Sequence, residues 1–369
     1  MSRIRAGFAL SVALVMFAAA CGGGESQEAT EATEATEATE VAEATASAEA
    51  AASTCDDVDL SQPPGEPVAI RMGNGIASEE PLWLVEAAPD VAANQGTWYE
   101  LELEPFRANE DRLGAYQAGE LDAASSPPQA LIRAFSQDIP ITAVAVMLRE
   151  GEEDFNSTFI ALEGSGIEAV EDLPGKTVAL VDLGSHFDYL AKAAVAEAGA
   201  DFASGAQYVV LPFPAQEEAL RSGQIDVAGL PEPFYSAAMA KGGVVDVFDA
   251  LDITGFPFDV LTIAFQPEFI DENLGAVCAF LQDFSATTNY YRENREEGRQ
   301  LVHEAGFVQI PLDAYQRTQD YERPEDGAID LDTMQQLMDS MIEFDVLQEE
   351  QRVDLQELVR PGVSLTVDS

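Results

Sequence analysis

The chain has 369 residues, 67 acidic against 18 basic side chains, and a formal net charge of −49. Its lysines are Lys176, Lys192 and Lys241; it lacks the clustered cations that a nucleic-acid backbone requires, which argues against such a partner. Two histidines and three cysteines, none at zinc-ligand spacing, supply metal or nucleophilic chemistry poorly. No catalytic residue, metal ligand or cofactor motif is identified.

In chain order, Arg3 and Arg5 precede an apolar run from Ala6 to Ala20, too short to span a bilayer and typical of a secretion signal. Residues 1–20 are therefore expected to be a signal peptide. Cys21 directly follows Ala18-Ala19-Ala20, which resembles a bacterial lipobox and implies lipidation of Cys21. The alternative is an ordinary secreted protein. Residues 21–54 are rich in Glu, Ala and Thr and lack aromatics, a composition expected to form a disordered tether. In an exported chain Cys55 and Cys278 either form a disulfide or remain two buried thiols.

Val68–Met72 reads as a buried strand ending at Gly73-Asn74-Gly75, with a helix from Pro81. Tyr99–Leu103 alternates as a strand, a helix ends at Gly119, and Leu121–Ala124, Ile141–Leu148 and Thr158–Leu162 read as strands. A second series follows: strand Thr177–Val181, turn at Leu183-Gly184-Ser185, helix Phe187–Ala198, strand Tyr208–Leu211, helix Gln216–Arg221, strand Ile225–Ala228 and helix Phe234–Lys241. Phe258–Ala264 is a further strand. Beyond it the pattern is helical, over Asn273–Glu304 and Leu331–Phe344, and is expected to cover one lobe. Alternating strands and helices predict an α/β protein with mainly parallel sheets flanked by helices.

One phrase occurs twice. Tyr116-Gln117-Ala118-Gly119-Glu120-Leu121-Asp122 runs into Ala123-Ala124-Ser125-Ser126-Pro127, and Leu220-Arg221-Ser222-Gly223-Gln224-Ile225-Asp226 runs into Val227-Ala228-Gly229-Leu230-Pro231. A unit used twice predicts two lobes and a cleft between them. Ligands of open α/β sheets bind beyond the carboxyl ends of strands. Four loops there supply the candidate ligand contacts: Gly75, Ser78 and Glu79; Ser125 and Ser126; Gly184, Ser185 and His186; Glu232 and Phe234. The amides at the helix starts after Gly75 and Gly184 are expected to be free to hold an anion without any arginine. The acids in the same loops suit an amine instead. For each serine, helix capping is an equally good reading.

Glu171-Asp172-Leu173-Pro174-Gly175-Lys176-Thr177-Val178-Ala179, then Gly184-Ser185, Ala219–Asp226 and Pro231-Glu232-Pro233-Phe234, resemble the sulfonate/nitrate/taurine group of ABC-transporter substrate-binding proteins. Binders of thiamine-precursor pyrimidines belong to the same group. The resemblance implies a two-lobed periplasmic-binding-protein fold, with 55–159 and 262–369 in lobe 1 and 160–261 in lobe 2. It places the crossing strands near Thr158–Leu162 and Asp259–Ile263. It further implies a monomer outside the cytoplasm, held to the cell membrane by its lipid alone. Such a protein captures a small organic solute by lobe closure and hands it to a permease whose ATPase is a separate subunit. The alternatives are a pyrimidine-synthesis-like enzyme or a ligand sensor on the same fold.

Overall fold

The computed structural model describes residues 54–367; the signal-peptide reading, Cys21 and nearly all of the tether lie outside them. Ten strands form two five-stranded sheets. The first contains β1 (Val68–Asn74), β2 (Tyr99–Pro105), β3 (Ala123–Ser126), β4 (Thr142–Glu150) and β10 (Phe258–Phe265), in the order β2-β1-β3-β10-β4. The second contains β5 (Thr158–Leu162), β6 (Thr177–Leu180), β7 (Gln207–Val210), β8 (Val227–Leu230) and β9 (Val244–Asp249), in the order β7-β6-β8-β5-β9. Each sheet has three neighbouring parallel strands and one antiparallel strand, β10 or β5. The chain enters the second sheet through β5 and returns to the first through β10. This is the two-lobed fold that the sequence implied.

Six helices matter to the site: α1 (Glu80–Ala87), α2 (Asn109–Gln117), α3 (Pro128–Phe135), α4 (His186–Glu197), α5 (Phe213–Arg221) and α6 (Phe234–Lys241). Strand β9 and helix α3 were not read from the sequence, because short apolar runs carry no decisive period.

The repeated phrase has a structural role in both lobes. Gly119 and Gly223 take φ of +73° and +72°, the left-handed conformation that ends a helix at little cost only in glycine. Asp122 then pairs with the first strand of its lobe: its N–H donates to the Arg71 carbonyl at 2.9 Å, and its carboxylate accepts the Arg71 N–H at 2.9 Å. Asp226 does the same with Thr177, at 2.8 Å in both directions. Each aspartate thus fixes the register between adjacent parallel strands. Strands β3 and β8 begin two residues later than the apolar pattern suggested, because the aspartate side chain replaces a ladder contact.

The C-terminal region departs from expectation. Helix Leu274–Glu293 packs on the first lobe, where Asp283 accepts from the Tyr99 hydroxyl at 2.8 Å. Helix Leu331–Glu343 reaches the second lobe, where the Ser340 hydroxyl meets the Tyr189 hydroxyl of α4 at 2.5 Å. It therefore bridges both lobes rather than covering one. The same region covers the edge strand β4, whose Arg149 N–H donates to the Glu322 carbonyl at 2.9 Å. That cover explains why an edge strand is nearly all buried. A disulfide joins Cys55 to Cys278 across 223 residues of sequence and ties the start of the described chain to helix Leu274–Glu293.

The two aspartate clamps give a direct stability test. Asp122, which also binds the Arg71 guanidinium, should cost about 1.5–3 kcal/mol as Asp122→Ala, and the more exposed Asp226 about 0.5–1.5 kcal/mol as Asp226→Ala. Urea unfolding of the two variants measures both losses.

Candidate functional site

A cavity of about 110 Å³ opens between the sheets. One water needs roughly 10–15 Å³ of such space, so on the order of eight waters or one compact organic molecule fills it. The first lobe contributes the loop Gly75–Glu79, the segment Phe106–Asn109 and Arg112 of α2. The second contributes Asp182, Ser185 and His186 before and at the start of α4, Phe187, and Phe213 at the start of α5. Tyr321 from the C-terminal region completes the wall.

The amides of the two loop glycines are taken by acids of the chain itself. Gly75 N–H donates to Glu79 Oε1 at 2.6 Å, and Gly184 N–H donates to Asp188 Oδ2 at 2.8 Å. In each lobe the acid four residues on satisfies the amide of the loop glycine. The wall also contains an arginine: buried Arg112 places Nη1 3.8 Å from Glu79 Oε1 and donates through Nη2 to Asn109 Oδ1 at 3.2 Å. A Cβ on Gly75 would lie 2.5 Å from Glu79 Oε1 and 3.2 Å from Arg112 Nη1, so a larger residue there has to shift the Glu79 carboxylate.

Asp182 reaches across from the second lobe. Its Oδ2 accepts from the backbone N–H groups of Asn109 at 2.6 Å and Glu110 at 3.2 Å, at the first turn of α2, where the helix dipole favours a negative charge. Burial pushes the Glu79 carboxyl up, opposed by Arg112 and by the Gly75 and Ser125 hydrogen bonds. It pushes Asp182 up, opposed by Ser185, Asn109 and Glu110, and pulls the Arg112 guanidinium down.

Of the residues singled out in the sequence, Gly75, Ser78, Glu79, Ser185 and His186 line the cavity. Ser125 and Ser126 lie behind its wall and hold it: Ser125 Oγ donates to Glu79 Oε1 and Ser126 Oγ to Asn109 Oδ1, both at 2.9 Å. Gly184 lies in an adjoining groove with Arg133, Asp188 and Lys192. Phe234 is stacked on the outer side of Phe213, 5.8 Å between centroids. Glu232 does not line the cavity: its carboxylate accepts from Ser236 Oγ at 2.6 Å and from Gln319 N–H at 3.2 Å, while its carbonyl accepts from Ser78 Oγ at 2.9 Å. Glu232 therefore joins the second lobe to both the Ser78 loop and the C-terminal region.

His186 is buried, with Nε2 2.8 Å from Glu150 Oε1 and 3.1 Å from Ser157 Oγ. Hydroxyl and carboxylate meet the same ring nitrogen, so the histidine does not stand between a nucleophile and an orienting acid as a hydrolase triad requires. Among the described residues there is no group of three or more His, Cys, Asp or Glu arranged to hold a metal.

Phe106, Arg107, Asn109, Arg112, Asp182 and Phe213 were missed. The strand-end rule would have reached five of them. Phe106 to Arg112 follow the carboxyl end of β2, and Phe213 follows that of β7, but both are outer strands that the four-loop reading left out.

A profile of the family described as NMT1/THI5 like matches residues 87–298. A putative aliphatic sulfonates-binding protein from Escherichia coli (strain K12) is 27% identical over 211 residues, 56% of this chain and 62% of that protein. The chain therefore spans less than two thirds of that relative's length. A ligand-binding component of an ABC-type import system from Staphylococcus aureus, solved with zinc bound, superposes with a TM-score of 0.65 at 15% identity, over 80% of this chain and 97% of the other. The periplasmic aliphatic sulphonate-binding protein of Escherichia coli gives 0.60 at 21%, over 82% and 95%. These structural likenesses establish the fold.

Gly75→Ala tests how tightly the wall is built. The added methyl has to displace Glu79 from its amide and crowd Arg112, so binding of any cavity ligand should weaken at least about tenfold, or about 1.4 kcal/mol. Titration calorimetry beside wild type reads the loss, and circular dichroism should report an unchanged fold.

Proposed function

The chain belongs to the NMT1/THI5-like family, and on that footing we propose that it is an extracytoplasmic solute-binding protein of an ABC importer. It captures a small organic solute of the sulfonate, nitrate or taurine type by closing two lobes, and delivers it to a permease powered by a separate ATPase subunit. The observation that carries this reading is the cavity walled by both lobes, spanned by the Ser78–Glu232 and Asp182–Asn109 hydrogen bonds. Those contacts form only when the lobes approach, which couples ligand capture to a change of shape. Arg107 and Arg112 in the lining suit an acidic group on the solute.

The lobe boundaries belong to the same proposal: 55–159 with 262–369, and 160–261. So do a monomeric state and a lipid on Cys21, followed by a tether that lets the domain reach the permease. None of the helices among the described residues is long and apolar enough to cross a membrane; in this reading the acyl anchor supplies membrane attachment.

A thiamine-precursor pyrimidine is the second reading. Phe106, Phe187 and Phe213 in the lining favour a flat ring, since aromatic faces pack well on one another.

A thermal-shift and calorimetric panel of alkanesulfonates, taurine, nitrate and pyrimidines tests both. A true ligand at 100 times its Kd should stabilise the protein by about 2.7 kcal/mol, and solution scattering should show compaction. No stabilisation by any member, with no compaction, would count against the reading. Separately, Cys21→Ala should move the protein from the membrane fraction to the soluble fraction; retention on the membrane would refute the lipid anchor.

A further inference from the structure

The polar atoms of the cavity wall do not balance. Glu79 Oε2, from the first lobe, and Asp182 Oδ1, from the second, are buried without a hydrogen-bond partner. Both residues line the cavity and are 1% and 2% exposed. Among the buried side-chain donors of the lining, Arg112 Nε is left unpaired. Arg112 is already engaged by Glu79 and Asn109, and Arg107 is exposed. By side chains, the inner wall sets two carboxylates against one guanidinium, and a buried carboxylate oxygen with no donor is among the most costly arrangements in a protein interior.

We infer that the ligand carries an amino group, held between the Glu79 carboxylate of one lobe and the Asp182 carboxylate of the other. This rests on the solute-binding reading and narrows it. A bare anion such as nitrate or an alkanesulfonate leaves both acceptors unpaired and adds negative charge beside them. An amino compound with a neighbouring acceptor, either an aminosulfonate or an aminopyrimidine, satisfies Glu79, Asp182 and Arg112 Nε together. The two acids lie on opposite lobes, so the amino group also completes the closed arrangement: Asp182 reaches Asn109 N–H only when the lobes meet. Glu79 and Asp182 are in this sense the specificity residues of the site.

The test uses two matched pairs: taurine with ethanesulfonate, and an aminopyrimidine with the same ring lacking its amino group. Wild-type protein should bind the amino member of at least one pair, and its des-amino partner at least about 100-fold more weakly, since a site built around a donor strongly rejects an analogue without it. Glu79→Gln and Asp182→Asn, each nearly isosteric, should each weaken the amino ligand at least tenfold and narrow the gap within the pair. If a variant fails to fold, the pairs measured on wild type decide alone. Equal binding of ethanesulfonate and taurine, with compaction, leaves the solute-binding reading standing and overturns this one. Failure of folded wild-type protein to bind either amino compound also overturns it, as do variants that bind like wild type.

Discussion

The site depends on a short hydrogen bond made twice: a glycine N–H at the end of the first strand of each lobe donates to an acid four residues on, Gly75 to Glu79 and Gly184 to Asp188. The start of a helix presents unpaired amides and a positive dipole end, a natural anion site. Here each lobe supplies a carboxylate of its own to the loop that leads into its helix. In the first lobe that acid, Glu79, also lines the cavity. Arg112 lies beside Glu79 and limits the cost of its burial, and glycine at 75 leaves both side chains where they are.

The second constraint is what holds the lobes in register across the cavity. Asp182 caps α2 of the opposite lobe, Ser78 donates to the Glu232 carbonyl, and the Glu232 carboxylate takes the Gln319 N–H. Gln319 and its neighbours are themselves fixed by Arg299, which donates to the carbonyls of Tyr315, Thr318 and Gln319, and by Arg323, which donates to the Ser78 carbonyl and Glu80. The C-terminal region thus joins the rim of one lobe to the floor of the other. Burial pushes the Glu232 carboxyl up, so its charge is expensive in this position. It is tolerated because Ser236 and Gln319 both donate to it, and the Gln319 bond is lost if the lobes separate.

The duplication was legible in the sequence, and so was the fold class, because Gly-x-x-Asp followed by a small-residue strand is a local pattern with a local cause. The glycine ends a helix, the aspartate clamps a strand, and neither needs distant information. The site was only partly legible for the complementary reason. Ser125 and Ser126 sit at the predicted strand end, yet they point into the support of Glu79 and Asn109 rather than into the cavity. Glu232 sits in a predicted loop, but its carboxylate is committed to a segment nearly ninety residues away in sequence. Arg112 lies inside a helix whose residues near it are largely polar, so periodicity gives no reason to separate it from its neighbours; its importance comes from Glu79 and Asp182, one on each lobe. What a strand-end residue faces depends on which surface packs against it, and sequence spacing does not encode that.

The duplicated loop also shows how two similar halves acquire unequal roles. In the second lobe, Asp188 is answered within its own helix, by Lys192 Nζ donating at 3.0 Å, and the pair lines the groove beside the cavity. In the first lobe, Glu79 has no lysine one turn along α1: the position four residues later is Trp83, which is buried and stacked on Phe307. Its charge is met instead by Arg112, which is shared with Asp182. The local bond is the same in both loops, but one acid is neutralised by its own helix and the other is left partly unanswered in the cavity wall. A single position, Lys192 in one half and Trp83 in the other, separates the acid paired within its own helix from the acid that lines the cavity.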